Sequence, residues 1–168
     1  LENTFSLLGG VQAWNEFQLK KEDLSRWSRQ TVLPEIGLNG QKRLLRSTVA
    51  IVGMGVFGCP AVQSLTAAGI GKLKIIDGDK VELSNLHRQP LFGHEDVGQL
   101  KVHVAKEKLE KTNEIAVIEA TEEYLNKDNG FDFIRDADVI IDATDNIKTR
   151  QLIDKISKTS GIPMIYGG

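Results

Sequence analysis

Four separated groups of residues have the types and spacing to handle a phosphorylated ligand. Gly53-Met54-Gly55-Val56-Phe57-Gly58 is a G-x-G-x-x-G run. In such a run Gly53 permits a tight turn, Gly55 lets a phosphate reach the backbone, and Gly58 allows close packing behind the loop, with Val56 inside it. Asp77 follows Gly58 by 19 residues, the place of an acid that accepts ribose hydroxyls, and Asp79 stands two further on. Ser84-Asn85-Leu86-His87-Arg88-Gln89 comes next, then Lys101. Arg88 can clamp two oxygens with its fork, and Lys101 can act as a point charge. Asn85 can donate or accept, and Ser84 and Gln89 are further polar candidates. The last group is Asp142-Ala143-Thr144-Asp145-Asn146. Asp145 is the candidate Mg²⁺ ligand, because Mg²⁺ takes one or two carboxylates plus phosphate oxygens and water. Asp142 is the lesser candidate. The plain alternatives are glycines that only turn the chain, an Asp77 that ends a strand, and an Asp145-Asn146 pair that only caps a helix.

These groups need elements to bring them together. Apolar, strand-sized runs cover residues 48–52, 73–76, 115–120, 139–143 and 163–166. Helical patterns cover 58–68, 97–111 and 146–159, with Val97, Lys101, Val104 and Lys108 near one stripe and Leu152, Ile153 and Ile156 facing inward. Continuous apolar strands alternating with helices predict an α/β, Rossmann-like, mostly parallel sheet with helices on both faces. Residues 22–47, with two helical stretches interrupted by Pro34 and Gly37, supply N-terminal helices ahead of it. In such sheets ligands bind at the carboxyl ends of the strands. Those ends fall after Val52, Ile76 and Ala143, beside the groups just described.

Composition bounds the partners. The 21 Lys+Arg against 23 Asp+Glu leave a net charge of −2, which argues against a non-specific nucleic-acid binder. No apolar run approaches the ~18 residues of a membrane span. A single cysteine, Cys59, excludes an internal disulfide and a cysteine-rich zinc site within these 168 residues, and points to a reducing compartment, the cytoplasm. Cys59 stands at a helix start, which lowers a thiol pKa, yet its place behind Gly58 suits a small packed side chain better.

The glycine loop and Asp77 alone suit an NAD(P)-dependent dehydrogenase as well as an ATP site. The cations separate the two. A nicotinamide site holds an uncharged ring and has little use for Arg88 and Lys101. A triphosphate attacked at its α-phosphorus builds charge on the phosphorane and the departing pyrophosphate, where guanidinium, ammonium and Mg²⁺ are wanted.

Ser28-Arg29-Gln30, the 53–60 loop, Asp77-Gly78-Asp79, the 84–89 run, Gly98 to Lys101 and Thr144-Asp145-Asn146 occur in that order. Over residues 26–168 this resembles the ThiF, MoeB and HesA family of ubiquitin-activating-enzyme-like adenylyltransferases. The resemblance implies ATP-dependent adenylation of the C-terminal glycine of a β-grasp, ubiquitin-like sulfur-carrier protein ending in Gly-Gly. It implies Asp77 at the ribose, Asn85, Arg88 and Lys101 at the phosphates, and Asp145 on magnesium. It implies that Arg29 enters the partner subunit's site, hence a homodimer; read by itself, Arg29 is a solvated helix charge. One departure is Val56, where the family usually has a second glycine. The family's zinc-binding and relay cysteines lie past residue 168, so zinc is expected in a later part of the protein. A third reading, an inactive dimerising scaffold, conflicts with the joint presence of Arg88, Lys101 and Asp145.

The chain reads as a fragment of a longer protein. Residues 1–20 form a separate piece, and Leu8-Gly9-Gly10-Val11-Gln12-Ala13-Trp14 resembles the closing segment of a rhodanese domain. An ordinary helix packed through Trp14 and Phe17 is the alternative. Residues 21–168 are then the ATP-binding domain, truncated at its C-terminus.

Overall fold

The computed structural model describes residues 24–167. The possible rhodanese segment and the expected break after residue 20 lie outside them. Two compact units divide between residues 42 and 43. The first carries the short helix α1 (Ser28–Thr31) and the start of α2 (Gly37–Leu44), with Gln30 Nε2 donating to Gln41 Oε1 at 2.6 Å. Arg29 lies on α1 and is exposed.

The second unit is the α/β fold. Its elements are β1 (Thr48–Val52), α3 (Gly58–Ala68), β2 (Lys72–Ile76), α4 (Lys101–Thr112), β3 (Val117–Thr121), α5 (Gly130–Ile134), β4 (Val139–Asp142), α6 (Ile147–Ser160) and β5 (Met164–Tyr166). The five strands pair in parallel, in the order β3-β2-β1-β4-β5. Alternate residues of β1 explain why its sequence is apolar from Val49 to Val52. Val49 and Ile51 join a core with Val62 of α3 and Val102, Ala105 and Leu109 of α4. Ala50 and Val52 join a second core with Phe133 and Ile134 of α5 and Ile153 and Ile156 of α6. Both faces are covered, so neither strand face can be polar. Chain order reverses direction between β1 and β4, and the crevice at that switch point is where a doubly wound sheet binds its ligand.

Three elements differ from the sequence expectation. The helix expected from residue 97 starts at Lys101, because Gly98 takes φ +89° and the chain turns there. Val97 is therefore outside the helix and 41% exposed, while Lys101 and Val104 are buried. The third strand runs from Val117 to Thr121 and includes Thr121. Helix α5 has five residues, too few to show a periodicity. Among the described residues no helix is long and apolar enough to cross a membrane.

The segment between β2 and α4 carries many of the polar candidates and is pinned in two places. Val81 N–H donates to Gln99 O and Gly98 N–H donates to Val81 O, each at 2.8 Å, which holds Asp79 near Lys101. Farther out, Lys108 of α4 donates to Leu91 O at 3.1 Å and pairs with buried Asp96, which also accepts Gly93 N–H. Burial pushes the Asp96 carboxyl up, but Gly93 N–H and the Lys108 ammonium outweigh it and hold the carboxyl below its ordinary range. A depressed carboxyl stabilises the fold above its unfolded pKa of ~3.9, and that contribution fades as pH falls through the folded value. Asp96→Asn is therefore expected to cost about 1–3 kcal/mol at pH 7. Thermal melts of the two proteins should converge as pH falls through the folded-state pKa of Asp96, below which both side chains are neutral; a gap that does not narrow as pH falls would contradict the pairing.

Candidate nucleotide-binding cleft

The carboxyl ends of β1, β2, β3 and β4 open onto one cleft of about 610 Å³, within the size range of small-ligand sites. Gly53, Gly55, Val56, Asp77, Asp79, Asn85, Arg88, Gln89, Lys101, Asp145 and Asn146 all line it. Residues separated by up to 93 positions in the chain thus meet at a single place.

The glycine loop has a steric logic that differs at each position. Gly53 takes φ +97°, and a Cβ there would lie 2.9 Å from Ala143 O. Gly58 does not line the cleft; a Cβ there would lie 2.0 Å from Gly53 O, so it lets α3 pack against the loop. A Cβ on Gly55 would meet only Gln89 Nε2, at 4.0 Å. Nothing among the described residues needs a glycine at position 55, and the space it leaves belongs to the cleft. Val56 is half exposed at the rim.

Asp77 binds the loop to the sheet. Its Oδ2 accepts Met54 N–H at 2.6 Å and its Oδ1 accepts Asp79 N–H at 2.7 Å. Each oxygen keeps a lone pair for a ligand hydroxyl. Asp79 accepts Lys101 Nζ at 3.0 Å and the Tyr124 hydroxyl at 2.5 Å. Burial raises its carboxyl, but the Tyr124 and Lys101 hydrogen bonds win and hold it below the usual carboxylate range. The Lys101 ammonium is itself nearly buried and uses one of its three donors on Asp79.

Arg88 is exposed; its Nη1 donates to Ser84 O at 2.7 Å, which leaves the rest of the fork for the cleft. Ser84 does not line the cleft, and its hydroxyl donates to Glu82. Asn85 is buried and accepts Glu82 N–H. Gln89 is 4% exposed and its Oε1 has no hydrogen-bond partner among the described residues. A buried acceptor left open in a cleft wall fits a donor on a ligand.

At the end of β4 the two acids have separate fates. Asp142 is fully buried; its Oδ1 accepts from Thr144 N–H and O–H, and its Oδ2 from Arg150 Nε at 2.7 Å. That carboxylate is engaged in shaping the loop. Asn146 caps α6, accepting Lys148 N–H at 2.9 Å and Thr149 N–H at 3.4 Å. The capping alternative is therefore realised by Asn146, while Asp145 is exposed on the cleft with no hydrogen bond or ion pair among the described residues. Those residues contain no cluster of three or more His, Cys, Asp or Glu able to hold a metal alone. A single free carboxylate suits a cation that takes most of its ligands from phosphate and water.

Arg150 and Tyr124 also line the cleft and were not among the sequence candidates. Arg150 follows Asn146 by four residues, so one helical turn places both on the cleft side of α6. Its guanidinium stacks over Tyr166, 5.0 Å from the ring centre. Tyr124 follows a strand edge and has no motif around it. Cys59 is fully buried, and burial pushes its thiol up to about 12, so it is a packed side chain and no nucleophile near neutral pH.

Comparisons with known proteins fit this geometry. A family model described as ThiF family matches residues 27–168. A sulfur carrier protein adenylyltransferase of Thermus thermophilus is 42% identical over 147 residues, covering 88% of this chain and 54% of the relative. An adenylyltransferase and sulfurtransferase MOCS3 of Drosophila ananassae is 43% identical over 150 residues, covering 89% of this chain and 33% of the relative. The chain therefore spans about half or less of these relatives' lengths. Among solved structures, E. coli MccB with AMPCPP and MccA has a TM-score of 0.72 at 29% identity, covering 79% of this chain and 41% of MccB.

Proposed function

Because this chain belongs to the ThiF family, we propose that its cleft binds ATP and serves adenylation of the C-terminal glycine of a ubiquitin-like sulfur-carrier protein ending in Gly-Gly. The observation that carries this reading is the convergence of Gly55, Arg88, Lys101 and Asp145 on one cleft. In the reaction a carboxylate oxygen of the carrier attacks the α-phosphorus. An oxygen–phosphorus bond forms, the bond to the bridging oxygen breaks, and pyrophosphate leaves with the electron pair. The products are a glycyl-adenylate and pyrophosphate.

The residues of this chain divide the work. Backbone N–H groups of the glycine loop and the start of α3 face the phosphates with partial positive charge. Asp77 accepts from the ribose. Arg88 and Lys101 balance the charge that builds on the phosphorane and the leaving group, in positions fixed beforehand by Ser84 and Asp79. Asp145 would hold Mg²⁺, whose charge offsets that of the phosphate oxygens. The cytoplasm suits a protein with one unpaired cysteine.

The intact protein should catalyse ATP–pyrophosphate exchange only when given a carrier that ends in Gly-Gly. Exchange absent with every such carrier would overturn the reading. We further propose a homodimer in which exposed Arg29 serves the partner subunit's cleft. Mixing Arg29→Ala with Asp145→Ala subunits should then restore part of the exchange that each lacks. No recovery would confine Arg29 to its own helix.

A further inference from the structure

Tyr124 is an exposed aromatic residue that is nevertheless held at both ends. Its hydroxyl donates to Asp79 Oδ1 at 2.5 Å. Its carbonyl accepts from Asn126 Nδ2 at 3.2 Å and from Asn129 Nδ2 at 3.1 Å. Asn126 Oδ1 in turn accepts the N–H groups of Asp128 and Asn129, which closes the turn after β3. The ring lies against the backbone of Gly78, where a Cβ would come within 2.7–2.9 Å of three ring carbons. Only glycine leaves room for the ring at that place. Yet Tyr124 is 66% exposed, and it lines the cleft.

An exposed side chain ordinarily keeps its rotamer freedom, because ordering it without burial gains little. Here the ring is ordered by one hydrogen bond, from its hydroxyl to Asp79, and by the Gly78 contact, while two further hydrogen bonds hold its backbone carbonyl. The result is a fixed aromatic surface lining a cavity. Pre-set surfaces of this kind reduce the entropy lost on binding. The direction of the cleft says what reaches it. The loop after β1 offers N–H groups to phosphates, and the end of β2 offers Asp77 to a ribose. The end of β3, next in the sheet, offers Tyr124 and the buried Leu125. A nucleotide laid along those strand ends brings its base to β3.

We propose that Tyr124 is a nucleotide-binding residue, the wall on which the nucleobase stacks. This rests on the cleft being a nucleotide site, and it adds the base end to a reading built on the phosphate end. Stacking uses the face of the base and is tolerant of its edge. Tyr124 thus sets affinity for the nucleoside part, while Gln89, with its open acceptor, lies beside Gly55.

The test is calorimetric titration of the protein with ATP and, separately, with inorganic tripolyphosphate. Tyr124→Ala should weaken ATP binding about tenfold, the scale of one base–aromatic stack. Tripolyphosphate affinity should stay put, since that ligand has no base. Tyr124→Phe, which keeps the ring, should restore most of the ATP affinity. Gly78→Ala, which displaces the ring without deleting it, should reproduce the alanine effect. ATP affinity unchanged in Tyr124→Ala, or ATP and tripolyphosphate weakened alike, would overturn the proposal while leaving the nucleotide site standing. A wild-type protein that binds no ATP would overturn both.

Discussion

Arg88→Ala is expected to cut carrier-dependent ATP–pyrophosphate exchange by about 10²–10³-fold, the loss typical of one preorganised group facing developing charge. The fold should be untouched. Arg88 is exposed, and its hydrogen bond to Ser84 O is a surface contact of little weight in stability. What the substitution removes is a planar fork placed before the reaction begins. Its benefit is largest when negative charge has spread over the phosphorane and the departing pyrophosphate, so the damage should fall on kcat more than on the KM for ATP. Arg88→Lys keeps the charge and loses the fork, and should recover only part of the rate. Steady-state exchange at several ATP concentrations separates these outcomes. A rate within twofold of wild type would remove Arg88 from the chemistry.

The second large effect is structural. Gly58→Ala puts a methyl group 2.0 Å from Gly53 O. Relief by movement is blocked on two sides. Gly53 N–H is bonded to Ile76 O at 2.9 Å, and the loop lies close to Ala143 of the next strand. Backbone shifts forced by overpacking cost about 1–3 kcal/mol, and more where neighbours are fixed. The loop that should receive phosphate would be displaced in the same stroke, so ATP binding should be lost as well. Gly55→Ala is the informative contrast, because its methyl group meets only Gln89 Nε2 at 4.0 Å. That variant should keep its denaturation midpoint and lose ATP affinity. Equal midpoints for Gly58→Ala and wild type, or normal ATP binding by Gly55→Ala, would break this division between a packing glycine and a ligand glycine.

Much of the architecture was legible from residues whose neighbours in sequence are also neighbours in space. The strands declared themselves because both sheet faces are covered, so Val49 and Ala50 alike had to be apolar although they enter different cores. The acid after β2, Arg88 before α4 and Lys101 at its first position followed from spacing. Lys101 could be read as a helix residue with a charge to place, but its anchor, Asp79, depended on a pairing between residues 79–81 and 98–101 that no periodicity carries. Asp145 could be ranked above Asp142 from sequence, but the physical reason, Arg150 pairing with Asp142 and leaving Asp145 free, rests on a contact that the spacing does not show. Tyr124 was invisible for a related reason. Its place in the cleft is set by Gly78, 46 residues earlier, and by a turn of asparagines with no repeating pattern.

The site as a whole differs from a set of separate motifs in one testable respect. Each charged group has a structural partner that aims it: Ser84 for Arg88, Asp79 for Lys101, and the Asn146 cap that leaves Asp145 to the cleft. Titrating the protein with ATP and Mg²⁺, and in parallel with NAD⁺, addresses that claim most directly. One ATP should bind per chain, NAD⁺ should compete poorly, and replacing Arg88, Lys101 and Asp145 together should abolish the ATP signal while the circular-dichroism spectrum of the fold is kept. Tight NAD⁺ binding with none for ATP, or ATP affinity indifferent to the triple replacement, would contradict it.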